Sequence, residues 1–173
     1  MRILAKVTAV WGAPDSGKTT FAVKLAAAIY DNYNSTVMLV CPDMETPTLP
    51  VLFPTAKRDD LTSIGAVLAK TEVTKDDVIR HTVSIRGMEN FGVVGFKDGE
   101  NKYTYPNFDE TKVRALFAAL ADNAQVIIVD CTSSLSNPIS AYAVKFADEV
   151  IRIAAPTSSS SSFCVSSSER TRP

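Results

Sequence analysis

Short blocks of consecutive apolar residues alternate along this chain with longer blocks whose apolar residues recur every three or four positions. The first kind suits a strand buried on both faces; the second is one face of a helix. The blocks "ILAKVTAVW" over 3–11, "TVMLV" over 36–40 and "QVIIVD" over 125–130 are of the first kind, and each is a predicted strand. A further strand is expected over 149–154. The block "KTTFAVKLAAAIY" over 18–30 carries Phe21, Leu25 and Ala28, and also Ala22, Ala26 and Ile29, at helical spacing. It is apolar nearly all round, as a buried helix is. Helices are also predicted over 59–70, where acids precede Leu61, Ile64, Val67 and Leu68, and over 75–80. Two more are predicted over 109–122, where Val113, Leu116, Phe117 and Leu120 share a face, and over 139–146.

Breakers supply the rest. Pro47, Pro50 and Pro54 make 44–54 a loop. Asp98-Gly99 lies between "FGVVGF" and "YTY", which predicts a β-hairpin with Phe91, Phe96, Tyr103 and Tyr105 as cross-strand or partner-facing aromatics. Strands alternating with helices predict an α/β fold, a three-layer αβα sandwich around a mainly parallel sheet, with the hairpin as an insertion. The alternation stops at Pro156. "TSSSSSFCVSSSERTRP" over 157–173 is serine-dominated and aperiodic, and reads as a disordered tail after a domain over 1–156.

Composition narrows the function. With 46% apolar residues, the 173-residue chain can bury a core. Its 18 basic and 19 acidic side chains nearly balance, and no basic cluster occurs, so a nucleic-acid surface is not expected. Cys41, Cys131 and Cys164 lie far apart, which reads as reduced thiols in a cytoplasmic protein. The apolar run over 3–11 is interrupted by Lys6 and is too short to span a bilayer.

The chemistry sits where the first strand meets the first helix. "GAPDSGKTT" over 12–20 satisfies G-x-x-x-x-G-K-[ST], the Walker A or P-loop pattern, through Gly12, Gly17, Lys18 and Thr19. Glycines let successive N–H groups turn toward phosphate oxygens, and the following helix adds its N-terminal partial charge. Lys18 would reach the β- and γ-phosphates and Thr19 would ligate Mg2+. The whole loop, Gly12, Ala13, Pro14, Asp15, Ser16, Gly17, Lys18, Thr19 and Thr20, is the expected ATP site. Asp15 is acidic where phosphate should approach; a left-handed backbone with the side chain in solvent accommodates it. Asp130, ending "VIIVD", is placed to hold magnesium. Asp43, after the second strand, is placed to orient water or a magnesium-bound water. Lys18, Asp43 and Asp130 are thus the expected catalytic residues, and Thr19, Asp43 and Asp130 the expected metal residues. His81 has no partner spacing and reads as structural, and Trp11 as core. No Asn-Lys-x-Asp guanine-reading element is present, since "NKYT" over 101–104 lacks the acid.

"VWGAPDSGKTTFAVKLA", "TVMLVCPD" and "VIIVDCTSSLSNPISAYAVKFADEVIRIAAP" together resemble the ParA/MinD superfamily of P-loop ATPases, in a CpaE-like branch, over about residues 1–156. The resemblance implies a cytoplasmic hydrolase whose nucleotide state is a switch, a homodimer, and a protein partner in a pilus, secretion or conjugation system. It implies that Asp43 matches the second acid of the family's Asp-x-Asp, that Asp130 matches its switch aspartate, and that Ser133, Ser134 and Leu135 fall in the switch segment. Ala13 stands where the family has a lysine that reaches the partner's nucleotide, and Cys41 replaces the first acid. The family's C-terminal third is missing where the serines begin, which reads as truncation. Two other readings remain. A small-molecule kinase needs an arginine lid, and Arg80, Arg86 and Arg114 are scattered. An interaction module without turnover would need neither Lys18 nor Asp130.

Overall fold

The computed structural model describes residues 5–54, 62–105 and 108–167. Its order is β1 (Lys6–Gly12), α1 (Lys18–Tyr33), β2 (Val37–Cys41), α2 (Leu49–Leu52), α3 (Ile64–Leu68), α4 (Lys75–Arg80), β3 (Val83–Ile85), β4 (Met88–Gly95), α5 (Glu110–Ala121), β5 (Val126–Asp130), α6 (Pro138–Phe146), β6 (Glu149–Ile153) and α7 (Ser158–Ser167). The expected strand residue Ile3, the helix residue Leu61 and the tail over 168–173 lie outside the described residues.

One sheet runs β3-β4-β2-β5-β1-β6. Every pairing is parallel except that of β3 with β4. Strands β2 and β5 have almost no polar side chain because helices cover both faces. On one face Ala22 and Ala26 of α1 and Leu49 of α2 pack on Val10, Leu39, Val93 and Ile128. On the other, α3, α4, α5 and α6 bring Ile64, Val78, Leu116, Leu120 and Ile139 onto Ala9, Val40, Val94, Ile127 and Val129. The three-layer sandwich with a mainly parallel sheet is therefore present.

Three local expectations are corrected. The hairpin turns at Arg86-Gly87, between β3 and β4, not at Asp98-Gly99. The run "FGVVG" is an interior strand, paired in parallel with β2, so it has no place for Tyr103 and Tyr105 as antiparallel partners. Asp98-Gly99 does turn the chain, but into further turns tied down by Glu100. That carboxylate accepts from Ser63 Oγ at 2.5 Å, Lys97 N at 3.0 Å and Tyr105 Oη at 2.5 Å. Second, the proline loop contains a short helix, α2, with its proline in the first turn, where no amide donor is needed. Third, residues 158–167 of the serine tail are helical, not disordered. The tail is held because Phe163 packs edge-on against Trp11, ring centroids 5.0 Å apart. Ser160 Oγ also accepts the Ala155 N–H at 3.2 Å. The helix expected over 59–70 is shorter among the described residues, starting after the cap Ser63. No helix among the described residues is long and apolar enough to cross a membrane.

Candidate functional site

Parallel pairing brings the carboxyl ends of β1, β2 and β5 to one edge of the sheet. Val10 pairs with Asp130, and Val40 with Val129. The chain then leaves β1 through the glycine loop and enters α1. Gly12 closes the strand against β6: a Cβ there would lie 1.9 Å from the Ile153 carbonyl oxygen. Ala13 is fully buried, and its carbonyl accepts from Ser16 Oγ and from Lys18 Nζ, each at 2.7 Å. Pro14, Asp15 and Thr20 are exposed, and Asp15 sits at φ +54°. Gly17 is the N-cap of α1 at φ +86°, with nothing within 4 Å of where a Cβ would be. The cap makes no side-chain hydrogen bond, and the first turn carries no acid. The orphan N–H groups of a 16-residue helix therefore open onto this space.

A cleft of about 510 Å³ lies there, lined by Gly17, Lys18, Thr19, Asp43, Asp130 and Ser133 among others. Thr19 Oγ1 donates to Asp130 Oδ2 at 2.7 Å. Asp130 is buried, and its Oδ1 has no hydrogen-bond partner. Burial raises the Asp130 carboxyl above the ordinary carboxylate value, with Asp43 adding; the Thr19 hydrogen bond and the Lys18 charge act against it. Lys18 Nζ donates to Ser133 Oγ at 2.9 Å as well as to Ala13. Burial lowers its pKa, and the carboxylates of Asp130, Asp15 and Asp43 oppose that. Asp43 is spent largely on its own loop: Oδ1 accepts from Glu45 N at 2.8 Å and Thr46 N at 2.9 Å, and Oδ2 from Thr46 Oγ1 at 2.7 Å. Oδ2 keeps one lone pair for a further donor.

The structure thus brings Lys18, Thr19, Asp43 and Asp130 to one cleft. Gly12, Ala13 and Ser16 shape the loop without lining it. His81 lies away from the site, its Nδ1 2.8 Å from the Asp77 carbonyl oxygen. The contacts of two residues named from the sequence, Ser133 in the switch segment and Trp11 in the core, are not legible there. Ser133 holds Lys18 across 115 positions, and Trp11, beyond being core, donates its indole N–H to the Ser133 carbonyl at 3.1 Å. No spacing rule connects residues so far apart.

No protein-family model and no curated protein matches the chain. Solved structures do. Apo McdA of Cyanthece superposes with a TM-score of 0.75 at 15% identity, over 96% of this chain and 65% of that one. MinD of Pyrococcus horikoshii, complexed with Mg-ADP, gives 0.71 at 17% identity over 96% and 65%. A ParA family ATPase of Chlorobium tepidum gives 0.67 at 16% over 93% and 64%. The fold is that of the P-loop NTPases. Within that fold the glycine loop, α1 and Asp130 occupy the edge where the strands end. The chain spans about 65% of the length of the first of these structures.

Proposed function

We propose that this chain is a ParA/MinD-like ATPase of the CpaE-like branch that binds Mg-ATP at residues 12–20 and serves as a nucleotide-dependent switch. The observation that carries this is the juxtaposition of an uncapped helix N-terminus, Lys18 and the Thr19–Asp130 pair in one cleft. The residues fit a magnesium nucleotide. Asp130 Oδ1 is a buried acceptor without a donor, beside a hydroxyl that can ligate. Among the described residues no group of three or more His, Cys, Asp or Glu could hold a metal ion, so the ion must share its coordination with phosphate oxygens and water. Thr19 and Asp130 would hold it, and it would neutralise charge on the phosphates. Lys18 would leave Ala13 and Ser133 for the β- and γ-phosphate oxygens. The free lone pair of Asp43 would orient the attacking water. With Ala13 in place of the trans lysine, hydrolysis is slow. The output is binding of a protein partner, in a pilus, secretion or conjugation complex, by a cytoplasmic protein. Residues 1–156 would form the nucleotide domain, with the serine-rich segment as an appendage to it.

A phosphoryl transferase is the second reading. A second cleft of about 630 Å³ shares Pro14, Asp43, Thr132 and Ser133 with the first, as a site for a phosphate acceptor would.

Calorimetric titration with Mg-ATP and with Mg-ADP tests the site, with Lys18→Ala as control. Saturable heat that Lys18→Ala loses is expected; no heat from the wild-type chain leaves the interaction-module reading. Release of inorganic phosphate without an added acceptor separates the ATPase from the transferase.

A further inference from the structure

Helix α7 reaches the phosphate cleft through three contacts in series. Phe163 packs on Trp11, as described. Trp11, 1% exposed, holds the Ser133 carbonyl through its indole N–H. The hydroxyl of that same Ser133 accepts from Lys18 Nζ. None of these contacts belongs to the sheet ladder, so all three can change while the sandwich stays intact.

Helix α7 is also weakly held. Serine hydroxyls compete with the helix for backbone groups, as Ser167 Oγ does in donating to the Phe163 carbonyl at 2.6 Å. A helix of ten residues is marginal in water unless it docks. Besides the Ala155 N–H bond to Ser160, two of its anchors meet at Trp11: Phe163 directly, and the Ser167 carbonyl through Arg152, which donates to it at 2.9 Å and lies over the indole ring at 5.3 Å. Lys18, meanwhile, spends two donors on neutral oxygens. A triphosphate adds an opposite charge on the acceptor, which these neutral oxygens lack, so it draws the ammonium away from the Ser133 hydroxyl.

We propose that α7 is a nucleotide-responsive element: phosphate binding takes Lys18 from Ser133, the segment after β5 shifts, Trp11 loses its fixed partner, and α7 loosens from the indole. Ser133 is then a positioning residue that couples the loop lysine to the C-terminal helix. The proposal rests on the reading of the cleft as a nucleotide site.

Each link has its own probe. Trp11 is the one tryptophan of the chain, so its emission reports the middle link. Amide hydrogen exchange over 158–167 reports the outer link, and calorimetry reports binding itself. The expected result with Mg-ATP is an emission change that saturates with the heat, and α7 amides that exchange several-fold faster. Ser133→Ala deletes the half-buried hydroxyl and keeps the carbonyl. It should tighten Mg-ATP binding by about three- to tenfold, the worth of one net hydrogen bond, and make α7 exchange equally fast with and without nucleotide. Heat of binding with unchanged emission and unchanged α7 exchange overturns the coupling and leaves the nucleotide site standing. Absence of heat overturns the site and the coupling together.

Discussion

Asp130 is held in a state that suits a ligand better than it suits the free protein. A buried carboxyl whose folded pKa lies above its unfolded value binds its proton more tightly when folded. Its contribution to stability is therefore full below the ordinary carboxylate value of about 3.9 and is lost as pH rises through the folded value. Magnesium binding needs the carboxylate and gains over the same interval. Asp130→Asn should accordingly raise the melting temperature of the nucleotide-free protein at neutral pH, at about 2–4 °C per kcal/mol for a chain of this size. It should leave stability below about pH 4 unchanged. The same change should abolish magnesium-dependent nucleotide binding. Scanning calorimetry across pH checks the first part; a lower melting point at neutral pH would refute it. The two motif glycines separate in the same way. Gly12→Ala drives a methyl into the Ile153 carbonyl and should destabilise by about 1–3 kcal/mol or more, with β1–β6 pairing the casualty. Gly17→Ala meets open space, costs about 1–2 kcal/mol for its left-handed backbone, and should fold but lose nucleotide affinity. Denaturant melts paired with calorimetric titration distinguish the two outcomes. Thus the P-loop pattern is legible in the sequence, but the two duties of its glycines are not: the reason for Gly12 is a strand residue 141 positions later, at the register Gly12↔Ile153.

Elements were readable wherever local pattern and tertiary environment agree. β1, β2 and β5 announce themselves as apolar runs, and α1, α5 and α6 as periodic ones, because each is buried in the way its pattern says, while the edge strand β6 alternates apolar Val150, Ile151 and Ile153 with exposed Glu149 and Arg152. Helix α4 carries its own start signal. Thr74 accepts from Asp77 N at 3.2 Å and Asp77 answers at Thr74 N at 3.3 Å, a capping box that Lys70 braces with an ion pair to Asp77. Thr74→Ala should cost about 1 kcal/mol, with faster amide exchange confined to α4 and the adjoining β3; an unchanged melt would show that packing of Val78 alone suffices. The misread elements are those decided by distant partners. Asp98-Gly99 is a stronger turn pair than Arg86-Gly87 by composition, yet β4 is taken up by β2, and Glu100 gathers the chain after it onto Ser63 and Tyr105. The serine segment has no helical signal of its own and takes its form from Trp11 and Arg152.

At the scale of the molecule, the question is whether two copies can share a nucleotide. The ParA/MinD resemblance implies a lysine, early in the loop, that crosses to a partner's phosphates and offsets the charge of two facing triphosphates. By the same resemblance, that position is Ala13. It is fully buried, and its carbonyl is pinned by Ser16 and Lys18, so the loop offers no group from that point to a second molecule. Lys18 serves its own cleft, and Asp15 at the exposed loop tip adds negative charge where a partner's phosphate would approach. Facing clefts would then set like charge against like charge without a compensating cation. Sedimentation velocity should show the same species with Mg-ATP as without it, and hydrolysis per molecule should not rise with protein concentration. A nucleotide-driven dimer, or a specific rate that climbs with concentration, would mean that a cation reaches across from elsewhere. Exposed Lys102, on the rim of the second cleft, is the residue to change next, since that cleft shares a wall with the phosphate site. Lys102→Ala should then return the rate to its concentration-independent value, while leaving nucleotide affinity at low concentration as it was.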